Sequence, residues 1–249
     1  MDLFFYLFAS IGVILFGIAK GGFAGPIAIL SIPVMSLSMS PITAAAILLP
    51  VLLFMDVVAM YIYWNKWDVK NIKIILPPAM IGILIGTLTF GFISEDIIRI
   101  IIGCIAIIFI LMSFLQQSNQ FVKPTKNKGL FWSLIGGYTS FIIHSGGTPI
   151  NFYLLPQKLN KTTYVGTMTF AFLIINLVKL IPYYYLNQLI ISNLKVSLIL
   201  SPLAPISIYL GYYLHKKINE KNLSVLLYQF LIQLIKLRNA MIQMNISMH

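Results

Sequence analysis

Long apolar runs alternate with short polar interruptions from one end of the chain to the other. Residues 3–19, 42–64, 74–93, 97–116, 162–185, 194–214 and 223–244 each read as a span, because about 20 apolar residues in helical form cross the hydrocarbon core. Three further runs are shorter and flank breaks: 27–39 after a break at 20–26, and 130–143 and 150–157 on either side of a break at 144–149. Segments of about ten residues with strict alternation, the mark of a membrane barrel, do not occur. The pattern predicts an all-α polytopic membrane protein.

The two breaks have the same makeup. The first is Lys20-Gly21-Gly22-Phe23-Ala24-Gly25-Pro26 and the second is His144-Ser145-Gly146-Gly147-Thr148-Pro149. Each sets a cationic or titratable side chain beside paired glycines and closes on Pro, which suits the first position of a new helix. Polar backbone at membrane depth must be buried in protein or line a watery cavity. Two helix starts aimed at one point would offer free N–H groups and positive dipole ends there, which is an anion site. The candidate substrate-binding residues are Lys20, Gly21, Gly22, Gly25, His144, Ser145, Gly146, Gly147 and Thr148. The competing account has the glycines serving helix packing and Lys20 reaching to an interface.

A second regularity lies between the halves. A shift of 125 residues lays 76–95 on 201–220 without a gap, matching Pro77 to Pro202, Ala79 to Ala204, Gly86 to Gly211 and Glu95 to Glu220. This reads as internal duplication: a first membrane repeat over 1–116, a linker at 117–129, and a second repeat over 130–249. Counted from Pro41 and from Lys161, Asp56 and Asn176 each stand 15 residues on. Asp56 is an intramembrane carboxylate, hence a candidate for proton coupling or a partner for a nearby cation, with Asn176 in support. Lys179 lies one turn further, close enough to a span end that reaching outward to the interface is expected of it. The Tyr183-Tyr184-Tyr185 run and Trp64/Trp67 sit where aromatic belts are expected.

Charge changes the picture in one respect. Of 249 residues 59% are hydrophobic and 9% charged, with a formal net charge of +11. In a soluble protein that balance would suggest nucleic acid. Here Lys66, Lys70, Lys73, Lys123, Lys126, Lys128, Lys158, Lys161, Lys216, Lys217 and Lys221 share one face if each break is a hairpin turn, and do not if it is a straight crossing. The positive-inside rule then favours hairpins, basic loops in the cytoplasm and the N-terminus outside, in a cell inner membrane. Each half becomes a broken-helix hairpin plus three transmembrane helices. An odd count inverts one half against the other, the inverted-repeat plan of many secondary transporters.

Cys104 is the single cysteine, so no intramolecular disulfide forms. The start Met1-Asp2 has no basic region and does not read as a cleaved signal peptide. No P-loop, HExxH, nucleophile elbow or carboxylate pair is present, and with six acids in all neither hydrolysis nor ATP-driven pumping is expected. No metal and no cofactor are called for. The expected partners are a small anion and the lipid bilayer, with a homo-oligomer as a further candidate.

The glycine-rich break after the first run, the second in mid-chain (Gly136 to Pro149) and the repeated segment plan together resemble the TauE/SafE family of membrane transporters, also called the 4-toluenesulfonate uptake permease family. The likeness covers about residues 3–235. It implies export of sulfur-containing oxyanions such as sulfite, or of organosulfonates. After Leu237 the chain departs from the family pattern, since 238–249 turns polar and Met-rich. The competing functions are an anion channel and a non-transporting membrane subunit. The latter would usually show paired intramembrane histidines, and only His144 lies at depth.

Overall fold

The structure, a computed structural model, describes residues 3–23, 28–104 and 125–217. The expected span 223–244, most of 97–116, the polar tail and Gly25 fall outside these residues.

Among the described residues every regular element is helical. Helix α1 (Leu3–Ile18) runs into a π-helical turn (Ala19–Phe23). A 3₁₀ turn (Ala28–Leu30) leads to the short α2 (Ser31–Met35), which packs back on α1. Helix α3 (Pro41–Ile62) follows, then α4 (Val69–Thr89), and α5 is described over 95–104. Helix α6 (Lys126–Ile143) turns through the second break into α7 (Gly147–Leu154), which packs back on α6. Helix α8 (Lys161–Tyr185), α9 (Ile191–Leu200) and α10 (Leu203–Lys217) complete the described chain. Four helices are long and apolar enough to cross a membrane by themselves, and the bent pair α9–α10 makes a fifth.

Local chemistry sets the helix starts. The Ser40 hydroxyl accepts from Thr43 N (3.1 Å) ahead of Pro41, and Asn160 Oδ1 accepts from Thr162 N (2.9 Å) and Thr163 N (3.2 Å). Both are N-caps that satisfy otherwise orphaned amides. They fix the starts of α3 and α8, so Asp56 and Asn176 stand at equal distances along two helices that pack on each other. Asp68 caps α4 through Asn71 N at 3.0 Å.

The halves pair crosswise: α4 packs on α6, and α10 packs on α1. Close backbone approach makes both contacts. A Cβ on Gly137 would lie 2.0 Å from Ala79 O, and one on Gly82 2.1 Å from Leu134 O. On the other side, a Cβ on Gly211 would lie 2.3 Å from Ile18 O, and one on Gly21 2.2 Å from Ile208 O. Lipid tails are as apolar as leucine, so association relies on such packing rather than on hydrophobic burial. The two segments matched by the 125-residue shift bury corresponding positions: Ala79, Gly82, Ile83 and Gly86 are buried, and so are Ala204, Ser207, Ile208 and Gly211.

One expectation needs correction. The span 194–214 is not one helix, because α9 and α10 meet at 46° around Ser201-Pro202. Proline removes an amide donor and crowds the preceding turn, which permits the bend. Its counterpart Pro77 lies inside an unbroken α4. Helix α6 begins at Lys126 and holds Lys128.

The outward faces are apolar, with Ile81, Leu84, Leu88, Leu198, Ile199 and Ile206 exposed. The polar side chains Asp56, His144, Asn176 and Lys179 are buried inside. This is the distribution a bilayer imposes. The basic segments gather at one end. A Cβ on Gly166 would lie 2.4 Å from Lys66 O, and Asp68 N donates to Thr167 Oγ1 at 2.9 Å, so loop 65–68 sits on the first turns of α8. Asn71 and Gln157 exchange amide hydrogen bonds (3.0 and 3.1 Å), joining α4 to the chain just past α7.

Replacing Gly137 by Leu should drive α4 and α6 apart at a cost of about 1–3 kcal/mol, seen as a lower melting temperature in detergent. Gly91→Ala should leave melting unchanged, since nothing lies within 4 Å of a Cβ there.

Candidate functional site

The two breaks meet at one cavity. It is lined by Phe16, Ala19, Lys20, Ala28 and Ile29 from the first hairpin, by His144, Ser145, Gly147 and Thr148 from the second, and by Val165, Met168, Thr169 and Phe172 of α8. It offers about 40 Å³ to the centres of water-sized molecules. One water needs about 10–15 Å³ on that scale, so the space suits a few waters or one small oxyanion. The α8 wall belongs to the half of that helix that starts at Lys161, so the cavity lies toward the basic end.

Lys20 stands in the π-helical turn, a distortion that often marks functional positions. The Tyr63 hydroxyl holds the turn by donating to Gly21 O at 2.6 Å. The Lys20 ammonium pairs with Asp56 Oδ1 and lies 6.0 Å from the ring centroids of both Phe16 and Phe172. Asn176 Nδ2 donates to the other Asp56 oxygen at 2.6 Å, so the two residues counted from the helix starts are in direct contact. Asn176 Oδ1 is buried and makes no hydrogen bond. Of the two roles open to Asp56, partner to a cation is the one the geometry displays.

His144 caps α6 in the left-handed region (φ 54°), which aims its ring back over the site. Both ring nitrogens are engaged. Nε2 lies 2.9 Å from Ala45 O, and Nδ1 lies 2.7 Å from the Lys179 ammonium. Beside it, Ser145 is 5% exposed and lines the cavity, and its hydroxyl has no hydrogen-bond partner. Thr148 lines the cavity in the first turn of α7, where unsatisfied amides and the positive helix end point to the same place.

Not every candidate from the sequence lines this cavity. Gly21 packs on α10, and a Cβ on Gly146 would lie 2.3 Å from Gly136 O, so both glycines serve close packing of helices. Gly22 is buried and absent from the cavity wall, and Gly25 lies outside the described residues.

Lys179 is a correction. It does not reach out to the interface but is fully buried, donating to Ser140 O (2.9 Å) and Ser140 Oγ (3.1 Å) as well as facing His144. The misleading signal was its nearness to the helix end; the informative one was its place one turn from Asn176. Tyr183 departs from the belt as well. It is buried and donates to Phe141 O at 2.8 Å, while Tyr184 and Tyr185 are exposed. Sequence reading also missed the α8 wall, whose apolar residues carry no chemical signature. Among the described residues, no three His, Cys, Asp or Glu side chains gather as a metal site would need.

Breaking the Lys20–Asp56 pair from one side should destabilise more than removing both charges. Loss of one partner of a buried pair costs about 3–5 kcal/mol, whereas an apolar replacement of both is near neutral. Asp56→Asn alone should therefore melt lower in detergent than the Lys20→Met, Asp56→Asn double variant.

A part-buried lysine, a buried imidazole and an unpartnered buried hydroxyl lining a small cavity inside an apolar helical bundle can hold an anion within a membrane. No curated protein and no solved structure matches the chain. The family model for the sulfite exporter TauE/SafE matches residues 9–235, nearly the whole length. The chain belongs to the sulfite exporter TauE/SafE family of multi-pass membrane transporters, which are not enzymes.

Proposed function

We propose that this protein is a secondary transporter that exports a small sulfur-containing anion, with sulfite or a small sulfonate as the substrate. The observation that carries this reading is the shared cavity: Lys20 from one break and His144, Ser145 and Thr148 from the other line the same space. The Ser145 hydroxyl and the free amides at the start of α7 would hold the oxyanion oxygens, and Lys20 would supply charge from the opposite wall. The small volume favours sulfite over an aromatic sulfonate.

The architecture we infer is a pair of inverted repeats, each a hairpin plus three transmembrane helices, with the basic end in the cytoplasm and the N-terminus outside the inner membrane. The crosswise pairing of α4 with α6 and of α10 with α1 supports it. The cavity lies toward the basic end, so an anion would enter from the cytoplasm, the direction export requires. Energy would come from a gradient, with Asp56 as a candidate participant.

Purified protein in liposomes should catalyse saturable uptake of radiolabelled sulfite, accelerated by unlabelled sulfite on the opposite side. Ser145→Ala with Thr148→Val should weaken sulfite about tenfold, the value of one or two hydrogen bonds to a charged group. Flux that neither saturates nor shows counter-transport would make the protein an anion channel. No sulfite flux at all would refute the assignment.

A further inference from the structure

Behind the cavity's wall lies a lysine with no carboxylate paired to it among the described residues. Lys179 is fully buried on α8, and its ammonium meets three acceptors: Ser140 O, Ser140 Oγ and His144 Nδ1. None is a carboxylate. Among the described residues the ion pairs are Lys20 with Asp56 and Arg99 with Glu95. Asp56 is the acid of the buried layer, and both its oxygens are taken, one by Lys20 and one by Asn176.

A carbonyl oxygen only accepts, so the imidazole carries a proton on Nε2 and donates it to Ala45 O; with Lys179 protonated, its ammonium donates to Nδ1. His144 is then neutral. The buried layer holds two ammonium groups against one carboxylate, a net charge of +1 with Lys179 protonated. A buried charge lacking a counter-ion is costly, and an anion in the adjoining cavity would relieve that cost.

We propose that Lys179 is a positioning residue that sets the charge of the anion site through His144, and that the proton it carries is bound and released together with the transported anion. The inference rests on the transporter reading above and deepens it. Lys179 does not line the cavity. It holds, through Nδ1, the ring of His144, which does. Anion binding and protonation at Nζ favour each other, and such coupling is reciprocal. On release the Nζ–H bond breaks, its electron pair stays on nitrogen, and the proton bonds to His144 Nδ1; the imidazolium so formed turns off Ala45 O into the cavity it lines and gives one N–H proton to the departing anion, returning to the neutral ring. A monoanion and one proton then move without net charge.

The other groups that face Lys179 are few. Asp56 faces it from α3, Lys20 from the π-helical turn, and His144 and Ser140 from α6 and its cap. Tyr183 follows it on α8 and is committed to Phe141 O. Helix α4 carries its charges, Lys70 and Lys73, in its first turns, exposed at the basic end.

The test is sulfite affinity of the detergent-purified full chain across neutral pH, corrected for the ionisation of sulfite itself. Lys179→Gln should weaken binding about tenfold or more. Lys179→Arg keeps the charge but does not release its proton, so it should restore affinity and flatten the corrected pH profile. A Lys179→Gln variant that binds like the wild type overturns the proposal, and so does a Lys179→Arg variant with the wild-type pH profile. Should Lys179→Gln fail to fold, the Lys179→Arg profile decides alone. If the wild type itself binds no sulfite, the transporter reading falls and takes this inference with it. Wild-type binding with indifferent Lys179 variants overturns the inference alone.

Discussion

The structure depends on keeping polar groups inside a bilayer by giving the buried acid and the lysines beside it hydrogen-bond partners on other segments. Asp56 is held between Lys20 and Asn176, and Lys179 between Ser140 and His144. These contacts join four separate pieces of chain: the π-helical turn, α3, the α6 cap and α8. In hydrocarbon an unpaired charge or amide is expensive, so such contacts determine where helices stop and which faces turn inward. The apolar exterior asks only for lipid and gives the bundle no unique arrangement. Specificity comes from the polar layer and from the glycine contacts that let backbones meet.

Those two kinds of contact divide the work. Gly21, Gly82, Gly137 and Gly211 remove side chains where one helix crosses another. The polar layer lies between the crossings and borders the cavity. The tip of each hairpin serves both: Gly21 packs while its neighbour Lys20 faces the cavity, and Gly146 packs while Ser145 faces it. Adjacent residues on a tight turn point in different directions, so one short motif supplies a packing surface and a binding surface at once.

Much of this was legible in the sequence because the membrane restricts what a chain can do. Apolar runs of span length, Gly-Gly breaks closing on Pro, and a carboxylate inside a span each have few physical explanations. The contact between Asp56 and Asn176 could be read by counting from the helix starts, since Ser40 and Asn160 cap those helices and fix the register. What could not be read depended on depth and direction. Lys179 and Tyr183 lie near a span end by sequence, but α8 turns them inward, and no local pattern separates a lysine that reaches outward from one that is buried. The role of each glycine was equally hidden, because close packing and close approach to a ligand require the same residue. Helix α8 donates its apolar wall without any motif.

The segments around Pro77 and Pro202 bury corresponding positions, yet α4 is one unbroken helix through the first while α9 and α10 bend by 46° at the second. A proline inside an apolar segment therefore permits a bend without forcing one. The bend gives the α10 side of the bundle a corner that the α4 side lacks, so the two crossings of the described molecule differ in shape even where their buried positions correspond.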